Sequence, residues 1–543
     1  MKNSILIITL FLSSLYSFGA TYYVAPNGVD TNVGDINNPV ETIQKAQALA
    51  SSGDTVYIRG GLYSMREDQI ARYNSIWAYV TELNKNGISY LAYPNETPIF
   101  DYKNIKPANY RIFAFFITGS NIHIKGIEVV GVQVTILTHT QSECFDIQGS
   151  NITLEQIKMH DGMAIGVYMT KGSNNLILNC DAYNNYDSVS ESGVGGNTDG
   201  FGFHLKKGSV NNVIRGCRAW YNSDDGYDLI NNAEPVTLEN CWAFNNGYSI
   251  SGTNYFVSRG DGNGFKVGGY GAGGTPYATI MSSFVPIPKN TVRFCLAVRN
   301  KQSGFYANHH LDGNYWYNNT SYKNKRNFNM LNCVALNEID FATDGPGWNH
   351  TLANNLGFAA TTAELENIDK PRCFLTNNYF DLAALTVNSS DFLSIDETLL
   401  TAPREADGSL PKNNFLKLKA GSDLIDAGTD IGFSFKGTAP DLGCFEYESA
   451  LGLEKFATKG KIVTYPNPFS LETNVVFEND QTSKISLTLY NMMGMKVLEI
   501  PAKIYPNGEN TISLKRNGLA AGNYVLLIQG NDFGRNSKLI TVE

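Results

Sequence analysis

Asp224, Asp225 and Asp228 fall within five residues of one another in the stretch "NSDDGYDLI". Carboxylates that close repel unless a cation lies between them. A fourth, Asp199, stands in "NTDGFGFH", and "GDGNGFKVGG" carries Lys266. The three stretches share one pattern, a small or acidic residue, then glycine, then an aromatic, and Ser303-Gly304-Phe305 is a fourth copy. Side chains alternate faces along a strand, so an inward aromatic makes the next residue point outward. The pattern predicts one outward column of Gly202, Asp228, Lys266 and Tyr306. It predicts a second column of Asp199, Asp225, Asn263 and Ser303. Stacked at the strand spacing of about 4.8 Å, the copies gather Asp199, Asp224, Asp225 and Asp228 into one patch, with Lys266 one rung beyond. Hard oxygen donors in that number suit Ca²⁺.

A cation beside a lysine fits proton abstraction next to a carboxylate. A uronic acid has an acidic hydrogen on C5 and a glycosidic oxygen on C4. Removing the proton builds charge on the carboxylate, which a Lewis acid stabilises. Lys266, desolvated near the cation, is expected to have its pKa pushed downward and to serve as the base. Loss of the C4 oxygen then leaves a 4,5-unsaturated sugar, which is β-elimination. Two other readings compete. A polygalacturonase-type hydrolase needs a protonated acid opposite a base, and its Gly-His-Gly and Arg-x-Lys motifs are absent here. A non-catalytic, calcium-stabilised glycan-binding solenoid accounts for the metal but not for Lys266. Asp-Gly is also a common turn pair, so a single copy would mean nothing.

The columns require a repeating scaffold, and the sequence provides one. Cys180, Cys217, Cys241, Cys295 and Cys333 each begin a C-x-A triplet, and five residues after the first four come Asn185, Asn222, Asn246 and Asn300. Asn319 and Asn324 take these two places in the next copy. Cys217 and Cys241 are 24 residues apart, a length suited to one turn of a parallel β-helix. A Cys recurring at one place in a repeat is a packing position, so stacked unpaired thiols are expected rather than disulfides. Inserts over 186–196 and 247–260 interrupt two copies at the same point and are placed as walls of a cleft.

These motifs resemble the signature of polysaccharide lyase family 9, right-handed parallel β-helix enzymes acting on pectins, over roughly residues 20–450. The resemblance implies Asp199, Asp224, Asp225 and Asp228 as Ca²⁺ ligands and Lys266 as the catalytic base. Members of that family that cut homogalacturonan often have a lysine where this chain has His204, so homogalacturonan and a rhamnogalacturonan backbone both stay open as substrates. His204, Tyr306 and Asn308 are candidate substrate contacts.

The fold expected is all-β. It comprises a right-handed parallel β-helix over 20–447 with an N-terminal capping helix on Ile43, Ala46 and Ala50, a linker over 448–461, and a small β-sandwich over 462–543. The segment 418–447 reads as the closing piece of the coil. The last unit, with Tyr465-Pro466-Asn467-Pro468 and the terminal "KLITVE", resembles the sorting domain of the type IX secretion system, which implies handling by that machinery. Residues 1–19 read as a signal peptide, with Lys2 before an apolar run from Ile5 to Leu15. No later stretch is long and apolar enough to span a bilayer. Charged residues make up 17% and the net charge is −9, which argues against nucleic acid or an anionic membrane as partner. The reading is therefore of a secreted or cell-surface monomer that acts on an acidic polysaccharide.

Overall fold

The computed structural model describes residues 19–138, 141–270, 284–335, 343–448, 462–479, 481–491, 496–530 and 534–543. Nearly all of the expected signal peptide and of the expected linker lies outside these residues. The chain divides after Tyr447 into two compact units.

In the first unit successive short strands join different sheets. Asn212–Arg215, Arg218–Trp220 and Tyr227–Asp228 belong to three separate sheets, and Val236–Glu239 returns to the first. Among the described residues the three sheets have twelve, ten and eleven strands. Successive rungs pair in parallel; the hairpin of Arg72–Asn74 with Trp77–Leu83, at one edge of the third sheet, is antiparallel. The product is a parallel β-helix. Asparagines make many of its corners. Asn179, Asn184, Asn240 and Asn245 have φ between 52° and 56°, a left-handed conformation that asparagine tolerates better than most residues.

Three stacks of like residues fill the interior. Phe201, Tyr227, Phe265 and Phe305 lie face to face, with centroids 5.0, 4.7 and 5.0 Å apart, which is the strand spacing expressed in rings. Cys180, Cys217, Cys241 and Cys295 form a buried column of unpaired thiols. Asn319, Asn355 and Asn378 continue it as an amide ladder. Cys333 is not part of this column: it sits on Leu331–Ala335, paired antiparallel with Thr343–Pro346, and packs near Tyr270. The C-x-A triplet is too short to fix a residue's place in a coil.

The fifth-residue asparagines form the third stack. Each amide donates to the next carbonyl oxygen, from Asn185 to Asn222, Asn246, Asn300 and Asn324, at 2.9–3.2 Å. Each also donates to a backbone carbonyl of the coil before it, so buried amides are satisfied.

Helix Ile43–Leu49 is capped by Thr42, whose hydroxyl accepts from the Lys45 N–H at 3.1 Å, and Ile43, Ala46 and Ala50 are buried against the coil. The segment 418–447 does not close the coil's end. Leu418, Leu424 and Leu442 instead pack on Trp242, Phe244 and Leu296 of the second sheet's outer face, while Leu375, Tyr379 and Phe380 abut the interior core at its last rungs.

The second unit comprises antiparallel sheets. Val463–Tyr465, Glu472–Asn479 and Gly508–Lys515 form one, and Lys496–Tyr505, Ser483–Asn491, Gly522–Gly530 and Gly534–Val542 form the other. Val475, Phe477, Leu487, Leu526 and Ile540 make its own core.

Candidate active site

The third sheet carries the site on its outer face. Phe201, Tyr227, Phe265 and Phe305 are in register, and so are the residues that follow them, Gly202, Asp228, Lys266 and Tyr306. The outward column is therefore the one that alternation predicts. The glycine before each aromatic is sterically required. A Cβ at Gly200, Gly226 or Gly264 would lie 2.7 Å from the carbonyl oxygen of the equivalent glycine one rung on.

The second column is laced by bonds from each side chain to the residue one rung on. Asp199 Oδ1 accepts the Asp225 N–H at 3.0 Å, Asp225 Oδ1 accepts the Asn263 amide at 2.9 Å, and Asn263 Oδ1 accepts the Ser303 N–H at 3.1 Å. Asp224 is gripped from both inserts. Its Oδ2 accepts the Asn197 N–H at 2.6 Å and its Oδ1 the Asp261 N–H at 2.7 Å, at the ends of the 186–196 and 247–260 segments. The second insert contains the hairpin Tyr248–Ser251 with Asn254–Ser258.

Asp199, Asp224 and Asp225 are buried and bring one carboxylate oxygen each within 4.8 Å of the others. Asp228 stands beside this trio rather than in it: its Oδ1 accepts the Ile230 N–H at 2.8 Å, and its Oδ2 faces Lys266 Nζ at 3.3 Å. Lys266 Nζ also lies 3.0 Å from Asp225 Oδ2. Burial, followed by mutual repulsion, raises the Asp199 carboxyl well above the carboxylate range. Burial raises Asp224 too, and raises Asp225 to about 7 despite Lys266 beside it. The three carboxyls thus strain against one another, as a set of oxygen donors for a hard cation should.

Lys266 departs from expectation. Burial opposes its charge, but Asp225, Asp228, Asp224 and Asp199 outweigh burial and lift its pKa well above the usual lysine value. With the carboxylates free to pair with it, Lys266 is an ammonium. The downward shift expected from sequence assumed a cation already in place.

His204 lies where alternation puts it, with Nε2 4.0 Å from Asp228 Oδ2 and Nδ1 3.0 Å from the Tyr168 hydroxyl. Burial lowers its pKa. Tyr306 is beside Lys266 and its hydroxyl meets His309 Nε2 at 3.0 Å. Asn308 does not point outward. It is buried with a φ of 52°, and its amide donates to the Gly268 carbonyl at 2.8 Å, so it holds a turn.

Residues 22–349 match the model of the Pel9A-like, right-handed β-helix region, and residues 463–543 match the secretion system C-terminal sorting domain. Pectate lyase L of Dickeya dadantii is 33% identical over 445 residues, covering 80% of this chain and 92% of its own length. A solved structure titled rhamnogalacturonan lyase has 43% identity and a TM-score of 0.70, over 74% of this chain and 97% of its own. The crystal structure of pectate lyase Pel9A has 31% identity and a TM-score of 0.62, over 79% and 97%.

The chain belongs to the Pel9A-like family of right-handed β-helix proteins.

This Pel9A-like chain is a polysaccharide lyase, and its C-terminal sorting domain makes it a secreted or cell-surface protein. Within its Pel9A-like coil the outward column continues beyond the residues legible in the motifs. Tyr168 pairs with Gly202, Asp146 with Tyr168, and Asn329 with Tyr306. Asp146 and Glu143 are buried near Arg111, whose Nη2 is 3.5 Å from Glu143 Oε1. Burial raises Asp146 to about 6 and Glu143 well above its usual value. The signal for Tyr168 was present as Gly166-Val167-Tyr168, a copy of the pattern in which valine replaces the aromatic. Concavities lined by Tyr93, Lys125, Glu128 and Arg404, and by Glu41, Tyr63 and Arg66, hold none of the aspartates or Lys266.

Proposed function

We propose that this lyase cleaves a galacturonate-containing pectic chain by calcium-dependent β-elimination, on a pectate or rhamnogalacturonan backbone. Asp199, Asp224 and Asp225 hold the cation with Asp228 at its edge, and Lys266 is the base. The observation that carries the reading is Lys266 Nζ 3.0 Å from Asp225 Oδ2, one rung from Asp228 in the same outward column. The names of the relatives support the substrate class, since they are a pectate lyase and a rhamnogalacturonan lyase.

A divalent cation among the three carboxylates would take up the charge that keeps Lys266 protonated and would bind and polarise the uronate carboxylate. Asp224, fixed by two backbone N–H groups, keeps its carboxylate beside those of Asp199 and Asp225. Lys266, freed from Asp225 and Asp228, takes the C5 proton. The inserts on either side of Asp224 frame the place where the chain lies.

The test is the ultraviolet absorbance of the conjugated double bond at the new chain end. It should appear with polygalacturonate or rhamnogalacturonan and Ca²⁺, vanish in excess chelator, and return when Ca²⁺ is added back. Full turnover in chelator would remove the metal from the mechanism.

A further inference from the structure

Lys266 and Tyr306 are register partners on adjacent strands, and both are outward and half-buried. Their tips have different partners. Lys266 Nζ is held toward the preceding rungs by Asp228 and Asp225, at 3.3 and 3.0 Å. The Tyr306 hydroxyl is held by His309 Nε2 at 3.0 Å, and His309 Nδ1 bonds in turn to Asp344 Oδ1. Asp344 comes from Thr343–Pro346, which pairs with Leu331–Ala335 after the next rung of the coil, so phenol, imidazole and carboxylate form one hydrogen-bonded chain. Its outer end is open to solvent, with the Asp344 side chain 47% exposed. Two adjacent side chains of the outward column thus have separate polar partners, aspartates for Lys266 and the His309–Asp344 pair for Tyr306.

Elimination needs a second group that sequence reading left unassigned. When the C4–O bond breaks, the departing sugar oxygen would leave as an alkoxide, a poor leaving group at neutral pH unless it is protonated. In a galacto-configured uronate the C5 hydrogen and the C4 oxygen lie on opposite faces of the ring. A ring that gives its C5 hydrogen to Lys266 therefore presents its C4 oxygen on the opposite face, where a proton donor other than Lys266 is required.

We propose that Tyr306 is the general acid of this lyase and that His309 and Asp344 are positioning residues that orient its hydroxyl and return its proton. The proposal rests on the reading of Lys266 as base. The C5–H bond breaks and its proton passes to Lys266 Nζ. The electron pair left on C5 forms the C4–C5 double bond, and the C4–O bond breaks. The leaving oxygen takes the proton of the Tyr306 hydroxyl, and the phenolate recovers one through His309 from solvent at the Asp344 end. Lys266 then releases its proton to water, so no net proton or electron is gained or lost. Burial raises the Tyr306 pKa, which keeps the phenol protonated until the leaving oxygen calls for it.

Tyr306→Phe removes one oxygen and leaves the ring in place. Turnover on oligogalacturonate or rhamnogalacturonan oligosaccharide should fall about 10²-fold with KM unchanged, the cost of a lost proton donor in the transition state. In heavy water the uncleaved chains recovered from this variant should carry deuterium at C5, because abstraction proceeds and reverses. Lys266→Ala should show neither turnover nor deuterium. His309→Ala should lower kcat in the same way as Tyr306→Phe, again with exchange retained. The relay is refuted if Tyr306→Phe turns over within threefold of the parent protein. It is equally refuted if turnover is lost without deuterium at C5, which would make Tyr306 part of the abstraction step. A parent protein that yields no unsaturated product from either chain would overturn the lyase site itself, and the relay with it.

Discussion

Lys266 is pulled in two directions, by burial and by the carboxylates around it. Four aspartates hold its charge in place while burial works against it. Burial raises Asp199, Asp224 and Asp225, with neighbouring carboxylates adding to the rise of Asp199 and Asp225, and takes Asp225 to about 7. A carboxyl whose pKa is higher in the folded than in the unfolded chain contributes stability below the unfolded value and loses it as pH rises through the folded one. Without a divalent ion, the β-helix should therefore lose thermal stability as pH climbs from about 4 to about 7, the window between the free and folded values of Asp225. Added Ca²⁺ should flatten that loss, and melting curves in chelator and in Ca²⁺ across this range test both halves. The five charged residues were legible because a two-residue period turns sequence offsets into columns. The protonation state of Lys266 was not, because it depends on distances between rungs that no motif encodes. Asn308 was misread for a related reason: alternation holds only while the strand lasts, and the strand Ser303–Tyr306 ends two residues earlier.

Each rung places the elements by ladders of like residues, and the ladders carry stability as well as register. Asn246 donates to Asn300 at 2.9 Å and to the Ala219 carbonyl at 3.0 Å, and it accepts from Asn222. Asn246→Ala would leave Asn222 and the Ala219 carbonyl without their buried partner, at a cost of about 1–3 kcal/mol. Denaturant titration followed by circular dichroism should show a lower midpoint, and an unchanged midpoint would mean that the ladder is incidental. The recurrence of Cys and Asn at fixed offsets made the coil readable, as did the glycine whose Cβ would strike the next carbonyl. The hairpin joining Leu331–Ala335 to Thr343–Pro346 was not readable, since antiparallel pairing outside the repeat has no offset to follow. That hairpin misplaced Cys333 in the reading and kept Asp344 hidden from it. The covering of the second sheet by Leu418, Leu424 and Leu442 was hidden likewise, because a segment without a period does not announce which face it will meet.

The molecule combines a coil with one interior core and a sandwich with its own, and the division falls after Tyr447. The aspartates, Lys266 and the inserts that frame them all belong to the first. A chain ending at Tyr447 should fold and retain its full rate on soluble oligosaccharides, compared with the longer chain at equal concentration. A large rise in KM would instead give the sorting domain a share in binding substrate. The secretory role of that domain was legible in Tyr465-Pro466-Asn467-Pro468 and the terminal strand. The choice between homogalacturonan and rhamnogalacturonan was not, because both backbones contain galacturonate and the motifs name only groups proposed to act on that sugar.

The most direct measurement is the rate of unsaturated product formation by Lys266→Ala, taken together with its Ca²⁺ affinity. On the proposed mechanism the substitution takes away the base and, as its ammonium form, a competitor for Asp225 and Asp228, so Ca²⁺ should bind at least as tightly while turnover falls by about 10²–10⁴-fold. Lys266→Arg should fail nearly as badly, because a guanidinium stays protonated. Retention of more than about a tenth of the parent rate, far above the loss expected for a missing base, would assign the proton abstraction to another residue and contradict the account.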